Sequence, residues 1–261
     1  NAVIAPSALY GANGMRIGPD GALYVAQAFG SQISSLDPVN GDISTVMAVG
    51  SEVVAPDDLA FDSHGSLYIT EVMSERVSAK MADGSLRVIA DKVPVANGIT
   101  VHNDRIFMDE FRVGGRLLEL YTDGRAPRVI ASDLVTPNAL CMGPDGLLYY
   151  PQVATGEIWR VAVEGGQPER VIDGLALPTA VKFSPAGELY TTQGGSGEVT
   201  RVDLQSRARH VVARVRPGID NLTFAPDGRL FISHFVDGGV AEIEPSGNER
   251  SLVNPEIGRA A

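Results

Sequence analysis

Short apolar runs alternate with polar turns along the whole chain. In the first unit this pattern predicts four strands, at residues 14–17, 22–27, 32–36 and 42–48. Tyr, Val and Ile dominate the runs and favour strands, whereas Gly, Asp, Pro and Asn between them favour tight turns. None of the runs has the convincing spacing of an amphipathic helix. The pattern therefore predicts an all-β protein.

One unit of this pattern recurs six times. A polar turn that usually ends in glycine is followed by a strand with an aromatic residue, as in residues 18–27 and 143–152, and the copy at 101–110 has lost the glycine and one turn residue. The last residues of these strands lie 39 to 44 positions apart: Gln27, Glu71, Glu110, Gln152, Gln193 and His234. Four strands per unit at this period are typical of propeller blades. We predict a single six-bladed β-propeller domain, residues 1–261, with four antiparallel strands per blade.

The chain offers seven segments for six outermost strands. Residues 2–5 resemble an outermost strand ahead of the first blade, and residues 250–253 resemble one after the sixth. Either could complete the sixth blade. Because an unpaired strand edge promotes aggregation, we expect both segments to be ordered against that blade.

Composition and charge limit the kinds of partner and metal site that the protein could have. The formal net charge is −11, with the acidic residues spread along the chain, which argues against nucleic acid and anionic membranes as partners and favours cations or a neutral small molecule. Cys141 is the only cysteine, so an intrachain disulfide and a thiolate-rich metal site are excluded. No apolar run approaches the roughly 20 residues that span a bilayer. We expect a soluble protein, cytoplasmic or exported with its leader removed.

Alignment of the six units shows one polar residue per blade at the start of the innermost strand, a set named here the floor residues. They are Asn13, Asp57, Asn97, Asn138, Thr179 and Asp220. Because the start of the first strand and the end of the second meet at one sheet edge, we predict a funnel on one face, formed by this column and the 27/71/110/152/193/234 column. Asn and Asp also end turns without further function, which remains the alternative.

Converging carboxylates repel one another, and a bound cation relieves that repulsion. Carboxylate and carboxamide oxygens are hard ligands, so Ca²⁺ is the first choice, with Mg²⁺, Mn²⁺ or Zn²⁺ as alternatives. Histidine is the side-chain type suited to proton transfer near neutral pH, so His234 is a candidate base for activating water, or else a hydrogen-bonded strand-end histidine. Glu71, Glu110 and Asp220 are further candidates for the chemical step.

The motifs around the floor residues resemble those of a known family. Residues 96–99 (Ala-Asn-Gly-Ile), 137–140 (Pro-Asn-Ala-Leu) and 219–222 (Ile-Asp-Asn-Leu) are similar to the senescence-marker protein/gluconolactonase family, and the Asp-Asn pair also resembles the paraoxonases. The resemblance implies a six-bladed propeller with a divalent metal in its channel and lactonase activity. It implies metal ligands at Asn138, Asp220 and Asn221, with weaker matches at Asn97 and Asn13. We add Asp57 to the predicted metal ligands because it is a charged floor residue.

Two positions depart from the family pattern. Asn13 stands where the family usually carries Glu, and Thr179 stands where a further Asn or Asp is expected. The predicted function is a divalent-metal-dependent hydrolase of a small cyclic ester. The alternatives are a metal-dependent lyase that resembles virginiamycin B lyase and a non-catalytic propeller module of the NHL-repeat type.

Overall fold

A computed structural model of the protein describes residues 9–253 and contains six four-stranded antiparallel sheets, each built from consecutive strands. Blade 1 comprises β1 (Ala12–Ile17), β2 (Leu23–Gln27), β3 (Gln32–Leu36) and β4 (Ile43–Met47). Blade 2 comprises β5 (Pro56–Phe61), β6 (Leu67–Glu71), β7 (Arg76–Lys80) and β8 (Leu86–Ala90). Blade 3 comprises β9 (Ala96–His102), β10 (Arg105–Glu110), β11 (Val113–Leu120) and β12 (Arg128–Val135).

The second half of the ring repeats this order. Blade 4 comprises β13 (Cys141–Met142), β14 (Leu147–Gln152), β15 (Glu157–Ala162) and β16 (Glu169–Ile172). Blade 5 comprises β17 (Pro178–Phe183), β18 (Leu189–Gln193), β19 (Glu198–Val202) and β20 (Arg209–Arg214). Blade 6 comprises β21 (Ile219–Phe224), β22 (Leu230–His234), β23 (Val240–Ile243) and β24 (Glu249–Val253). The predicted six-bladed β-propeller is confirmed.

The apolar core lies between the blades. Six buried clusters each join two neighbouring sheets, because both faces of every sheet must be covered. Tyr149 illustrates the packing, since it packs edge-on against Phe183 of blade 5, with ring centroids 5.0 Å apart. This aromatic residue of the second strand therefore belongs to the core between two blades. Cys141 is buried in the same cluster, and burial raises the pKa of its thiol to about 11.

The turn of blade 3 shows how a shorter sequence keeps the fold. Asn103 and Asp104 both have positive φ, at 49° and 57°, and join β9 to β10 in a two-residue hairpin. Asn and Asp tolerate this left-handed backbone better than most residues. The lost glycine therefore shortens the turn and leaves the blade intact.

The ring closes between blades 6 and 1. Strand β24 is the outermost strand of blade 6, whereas the segment 2–5 that could also complete it lies outside the described residues. At this junction the Ser233 hydroxyl donates a hydrogen bond to the Asn13 carbonyl over 2.7 Å. The guanidinium groups of Arg229 and Arg250 donate to the Pro38 carbonyl at 3.3 and 3.2 Å. Side chains and apolar packing therefore join the two blades.

Candidate functional site

The floor residues converge on one cavity at the central channel, with a volume of about 350 Å³. All six line it: Asn13, Asp57, Asn97, Asn138, Thr179 and Asp220. The sequence therefore located this column correctly, and its common polarity now has a geometric reason. A set of polar side chains, one from each blade, surrounds a single cavity that is open toward solvent.

Bulges in the innermost strands direct floor residues into the cavity. The pairing of β1 with β2 shifts between Ala12 and Met15, and the pairing of β21 with β22 shifts between Ile219 and Leu222. A bulge bends the strand locally and turns a side chain away from its regular direction. In blades 1, 2, 3, 5 and 6 the floor residue lies within such a shift, which accounts for its orientation toward the channel. In blade 4, Asn138 lies between the isolated bridge of Pro137 with Gln152 and the start of β13.

Two carboxylates share the floor. Asp57 accepts a hydrogen bond from Asn13 Nδ2 at 2.8 Å. Burial, followed by the negative charges of Asp220, Asp58 and Asp109, raises the pKa of Asp57 well above its usual value. Burial and the charge of Asp58 raise the pKa of Asp220 to about 7. At neutral pH, Asp220 can therefore either accept or release a proton.

Below the floor residues lies a second layer of side chains, which includes both acidic and basic residues. Asp58 is buried and accepts from the Ile99 backbone N–H at 3.1 Å, while Arg16 lies 3.7 Å from its carboxylate. Lys182 is buried, donates to the Leu140 carbonyl at 3.2 Å, and has a pKa lowered to about 8, chiefly by burial. Two cations thus lie in the same channel as the acidic residues.

The other predicted column does not line the cavity, and in four of the six blades its side chain instead accepts a backbone N–H. Gln27 Oε1 accepts the backbone N–H of Tyr10 at 2.9 Å, and Glu71 Oε2 accepts that of Val54 at 2.7 Å. The corresponding acceptors in blades 4 and 5 bind the N–H groups of Val135 and Ala176 at 2.6 and 2.8 Å, and in all four blades donor and acceptor are 17 residues apart. This repeated contact, named here the brace, explains why the column is polar.

Two blades lack the brace donor. The brace donor lies three residues before the floor residue, and this position is Pro94 in blade 3, whose turn is one residue shorter, and Pro217 in blade 6; proline has no backbone N–H. Glu110 of blade 3 instead pairs with Arg112 at 3.1 Å and with Arg116. His234 of blade 6 is buried, and neither ring nitrogen makes a hydrogen bond within residues 9–253. Its Nε2 lies 3.5 Å from a Glu249 oxygen.

These contacts correct the expected funnel. Glu71 pairs with Arg76 at 2.8 Å and also accepts from Ser78, so the acidic residues of this column have the basic partners that the sequence analysis did not find. Glu71, Glu110 and His234 lie outside the cavity lining, and their catalytic roles stay predictions without a cavity contact. Asn221 also lies outside the lining, with its Oδ1 bound to the Leu222 N–H at 2.9 Å.

The floor has donor atoms that suit a hard cation. Asn97 Oδ1 is buried without a hydrogen-bond partner among the described residues, and such an atom is costly unless something binds it. Across residues 9–253, no three His, Cys, Asp or Glu side chains form a group that could hold a metal. A cation here would therefore depend on carboxamide oxygens as well as on Asp57 and Asp220, and these oxygens fit Ca²⁺ better than a softer metal.

The fold and this site define a six-bladed propeller with a polar-floored cavity at its central channel. Residues 3–169 match the family model described as SMP-30/gluconolactonase/LRE-like region, and the chain belongs to that family. A curated gluconolactonase of Zymomonas mobilis is 29% identical over 142 residues, which cover 54% of this chain and 33% of that protein. The match thus spans about a third of the relative's length.

Solved structures share the fold at low identity. A gluconolactonase from Xanthomonas campestris superposes with a TM-score of 0.75 at 19% identity, covering 88% of this chain and 85% of that one. Virginiamycin B lyase from Staphylococcus aureus gives 0.72 at 15% identity, covering 92% and 83%. A structure described as the calcium-binding protein regucalcin, from Agrobacterium tumefaciens, gives 0.69 at 17% identity, covering 89% and 84%.

Sequence reasoning missed the apolar residues that complete the cavity. Directly after the last residue of the second strand come Ala28, Val72, Phe111, Val153 and Phe235, and all five line the cavity. A signal was present, because the same position is apolar in five of the six aligned units. Separately, no helix in residues 9–253 is long and apolar enough to cross a membrane.

Proposed function

We propose that this protein hydrolyses a small cyclic ester in the cavity above the floor residues. The observation that carries the proposal is the pair of floor carboxylates, Asp57 and Asp220, with raised pKa values beside three carboxamides. Membership of the gluconolactonase-like family supports the same reaction class. A lactone of one ring fits a cavity of about 350 Å³.

Asp220 is the proposed general base. Its carboxylate lines the cavity and can take a proton from a water molecule as that water attacks the lactone carbonyl. The same carboxyl group then returns the proton to the ring oxygen as the C–O bond breaks, which leaves a hydroxy acid. Asn138 orients the ester, because its Oδ1 is held by the Ala139 N–H at 2.7 Å, which directs Nδ2 toward a carbonyl oxygen as donor.

A divalent cation, with Ca²⁺ as the first candidate, would be held by Asp57 and Asp220 together with carboxamide oxygens of Asn13, Asn97 and Asn138. When bound, it would polarise the ester carbonyl and neutralise charge that develops on oxygen. Asn221 would act from below by holding the backbone beside Asp220. The unpartnered Asn97 Oδ1 and the mutual repulsion of the two carboxylates support this assignment.

The test is proton release from lactones at constant pH, with the spontaneous rate subtracted. We expect turnover by the wild type, a loss of at least about 100-fold in kcat in Asp220→Asn, and a lower melting temperature and rate after chelation, both restored by Ca²⁺. An unchanged rate in Asp220→Asn would remove the general base from the proposal. An unchanged rate and melting temperature after chelation would remove the cation.

Product analysis separates the other two readings. Hydrolysis in H₂¹⁸O incorporates one labelled oxygen into the product, whereas elimination by a lyase forms an alkene with ultraviolet absorbance and incorporates none. The structural similarity to virginiamycin B lyase extends to the fold, which makes this control necessary. A binding module of the NHL-repeat type would give neither product and would tolerate Asp220→Asn.

A further inference from the structure

The cavity has two chemically different zones. Its floor is polar, whereas its wall is formed by the residues that directly follow the second strand of five blades, Ala28, Val72, Phe111, Val153 and Phe235. Phe29 and Met73 continue this wall toward solvent, with 69% and 76% of their surfaces exposed. The rings of Phe29 and Phe235 pack with centroids 4.7 Å apart, which joins blades 1 and 6 along the wall.

This wall offers no side-chain hydrogen bonds to a ligand. Each wall residue named above is aliphatic, aromatic or a thioether, so the polar side chains of the cavity are those of the floor. A lactone that carries hydroxyl groups around its ring would lose water at the wall without a replacement partner, and binding sites reject such ligands. An alkyl substituent would gain from the same contact, at roughly fourfold in affinity per methylene buried.

Blade 5 adds no apolar side chain to the wall. Its wall position is Gly194, followed by Gly195, and Thr179 is the residue of this blade that lines the cavity. A Cβ added at Gly194 or Gly195 would lie 3.1 or 3.0 Å from a backbone carbonyl oxygen, so backbone already fills the space beside both glycines. The apolar surface that continues from the cavity toward solvent is therefore that of Phe29 and Met73.

We propose that the substrate is a lactone with an apolar substituent, whose ester lies on the floor while the substituent lies against the wall and extends toward Phe29 and Met73. This assignment rests on the proposed function and names its substrate class. A hydroxylated sugar lactone would instead place hydroxyl groups against the apolar wall. Phe29 and Met73 set the direction of the substituent, since they are the exposed apolar residues of the cavity lining.

A series of γ-lactones with alkyl chains of increasing length tests the substrate class, with glucono-1,5-lactone as the hydroxylated comparison. We expect kcat/KM to rise about fourfold per methylene over the first two or three carbons and then to level off as the chain reaches solvent. Equal kcat/KM across the alkyl series, or a preference for the hydroxylated lactone, would overturn the inference while leaving the proposed hydrolase intact.

Failure of the hydrolase itself is distinguishable. If the protein turns over none of these esters, the affinity of the wall for an alkyl substituent can still be measured. Calorimetric titration with the matching alkyl lactams, which resist hydrolysis, gives that affinity. Tighter binding of lactams with longer alkyl chains would support binding of the substituent by the wall. Binding that is absent or independent of chain length would contradict it.

Two variants test the path of the substituent. Met73→Gln should lower kcat/KM for long-chain lactones about fivefold more than that for unsubstituted γ-butyrolactone. Val113→Thr is the matched control, because Val113 is 74% exposed and lies outside the cavity lining, whereas Met73 is 76% exposed and lies within it. An equal loss in both variants, or a loss in Met73→Gln that does not depend on chain length, would refute the path over Met73.

Discussion

Asn13 Nδ2 donates a hydrogen bond to Asp57 Oδ1 over 2.8 Å, and this contact joins blades 1 and 2 across the cavity floor. The carboxamide thus supplies a proton donor to a buried carboxylate whose pKa is raised by burial and by other acidic residues. Replacement of Asn13 by an acid would turn an attractive contact into a repulsive one.

We expect Asn13→Asp to lower the free energy of unfolding by about 1–3 kcal/mol in the presence of chelator, because two carboxylates would then share one buried contact. Added Ca²⁺ should raise the melting temperature of this variant more than that of the wild type. Asn13→Ala is the control, since it removes the hydrogen bond without adding charge. Equal Ca²⁺ shifts in the two variants would show that the floor binds no cation at this position.

The raised pKa of Asp220 predicts how stability depends on pH. The folded state holds this proton up to a pH of about 7, whereas an unfolded aspartate releases it near 4. The folded state therefore binds more protons between these values, and stability falls as pH rises from about 4 to about 7. The full effect is at most about 4 kcal/mol.

Urea unfolding with chelator at several pH values between 4.5 and 7.5 measures this slope, and Asp220→Asn should flatten it in part. Asp57 and Asp109, whose pKa values burial also raises, contribute with the same sign and leave a remaining slope in the variant. Lys182, with its pKa lowered to about 8, acts above this range. A slope identical in wild type and variant would contradict the assignment to Asp220.

Glu71→Gln separates a structural role from a catalytic one. The amide keeps an acceptor for the Val54 N–H but loses the charge pair with Arg76, so we expect a loss of about 1–2 kcal/mol in stability. The value of kcat should stay within about twofold of the wild type, because Glu71 lies outside the cavity lining. A drop of about 100-fold in kcat without unfolding would instead support the catalytic role predicted from sequence.

The missing brace of blade 6 can be restored by design. Pro217→Ala supplies a backbone N–H and His234→Gln supplies the acceptor found in blades 1, 4 and 5. The double variant should be more stable than the sum of the single changes predicts, by about 1 kcal/mol, in a double-mutant cycle measured by urea unfolding. Zero coupling would mean that the two positions do not meet. Lactone turnover by His234→Gln tests its predicted role as base.

The repeat made the fold and the floor column predictable, because one polar residue per blade at a fixed position has a common cause. The directions in which neighbouring side chains point were harder to predict from the sequence. Gln27 and Ala28 are adjacent in sequence, yet the first turns to the Tyr10 backbone and the second lines the cavity. Polarity alone assigned both polar columns to the funnel, whereas strand alternation placed the apolar column there.

The basic residues that lie near the acidic ones were not predicted, for a different reason. Arg76 is paired with Glu71 in the β6–β7 register, so hairpin geometry could have indicated that contact. Arg16 and Lys182 are far apart in sequence and meet the same channel only when the ring closes. Each lies three residues after a floor residue, a relation that the aligned units contain but that polarity did not single out.

Closure of the ring gives the floor a mechanical role. Asn13 and Asp220 come from the first and last blades, on either side of the junction held by Ser233, Arg229 and Arg250. A ligand that contacts both residues spans that junction. It therefore holds together two sheets that no covalent bond joins at this point. Occupancy of the cavity should therefore slow the parting of blades 1 and 6, the step at which a ring of consecutive sheets opens.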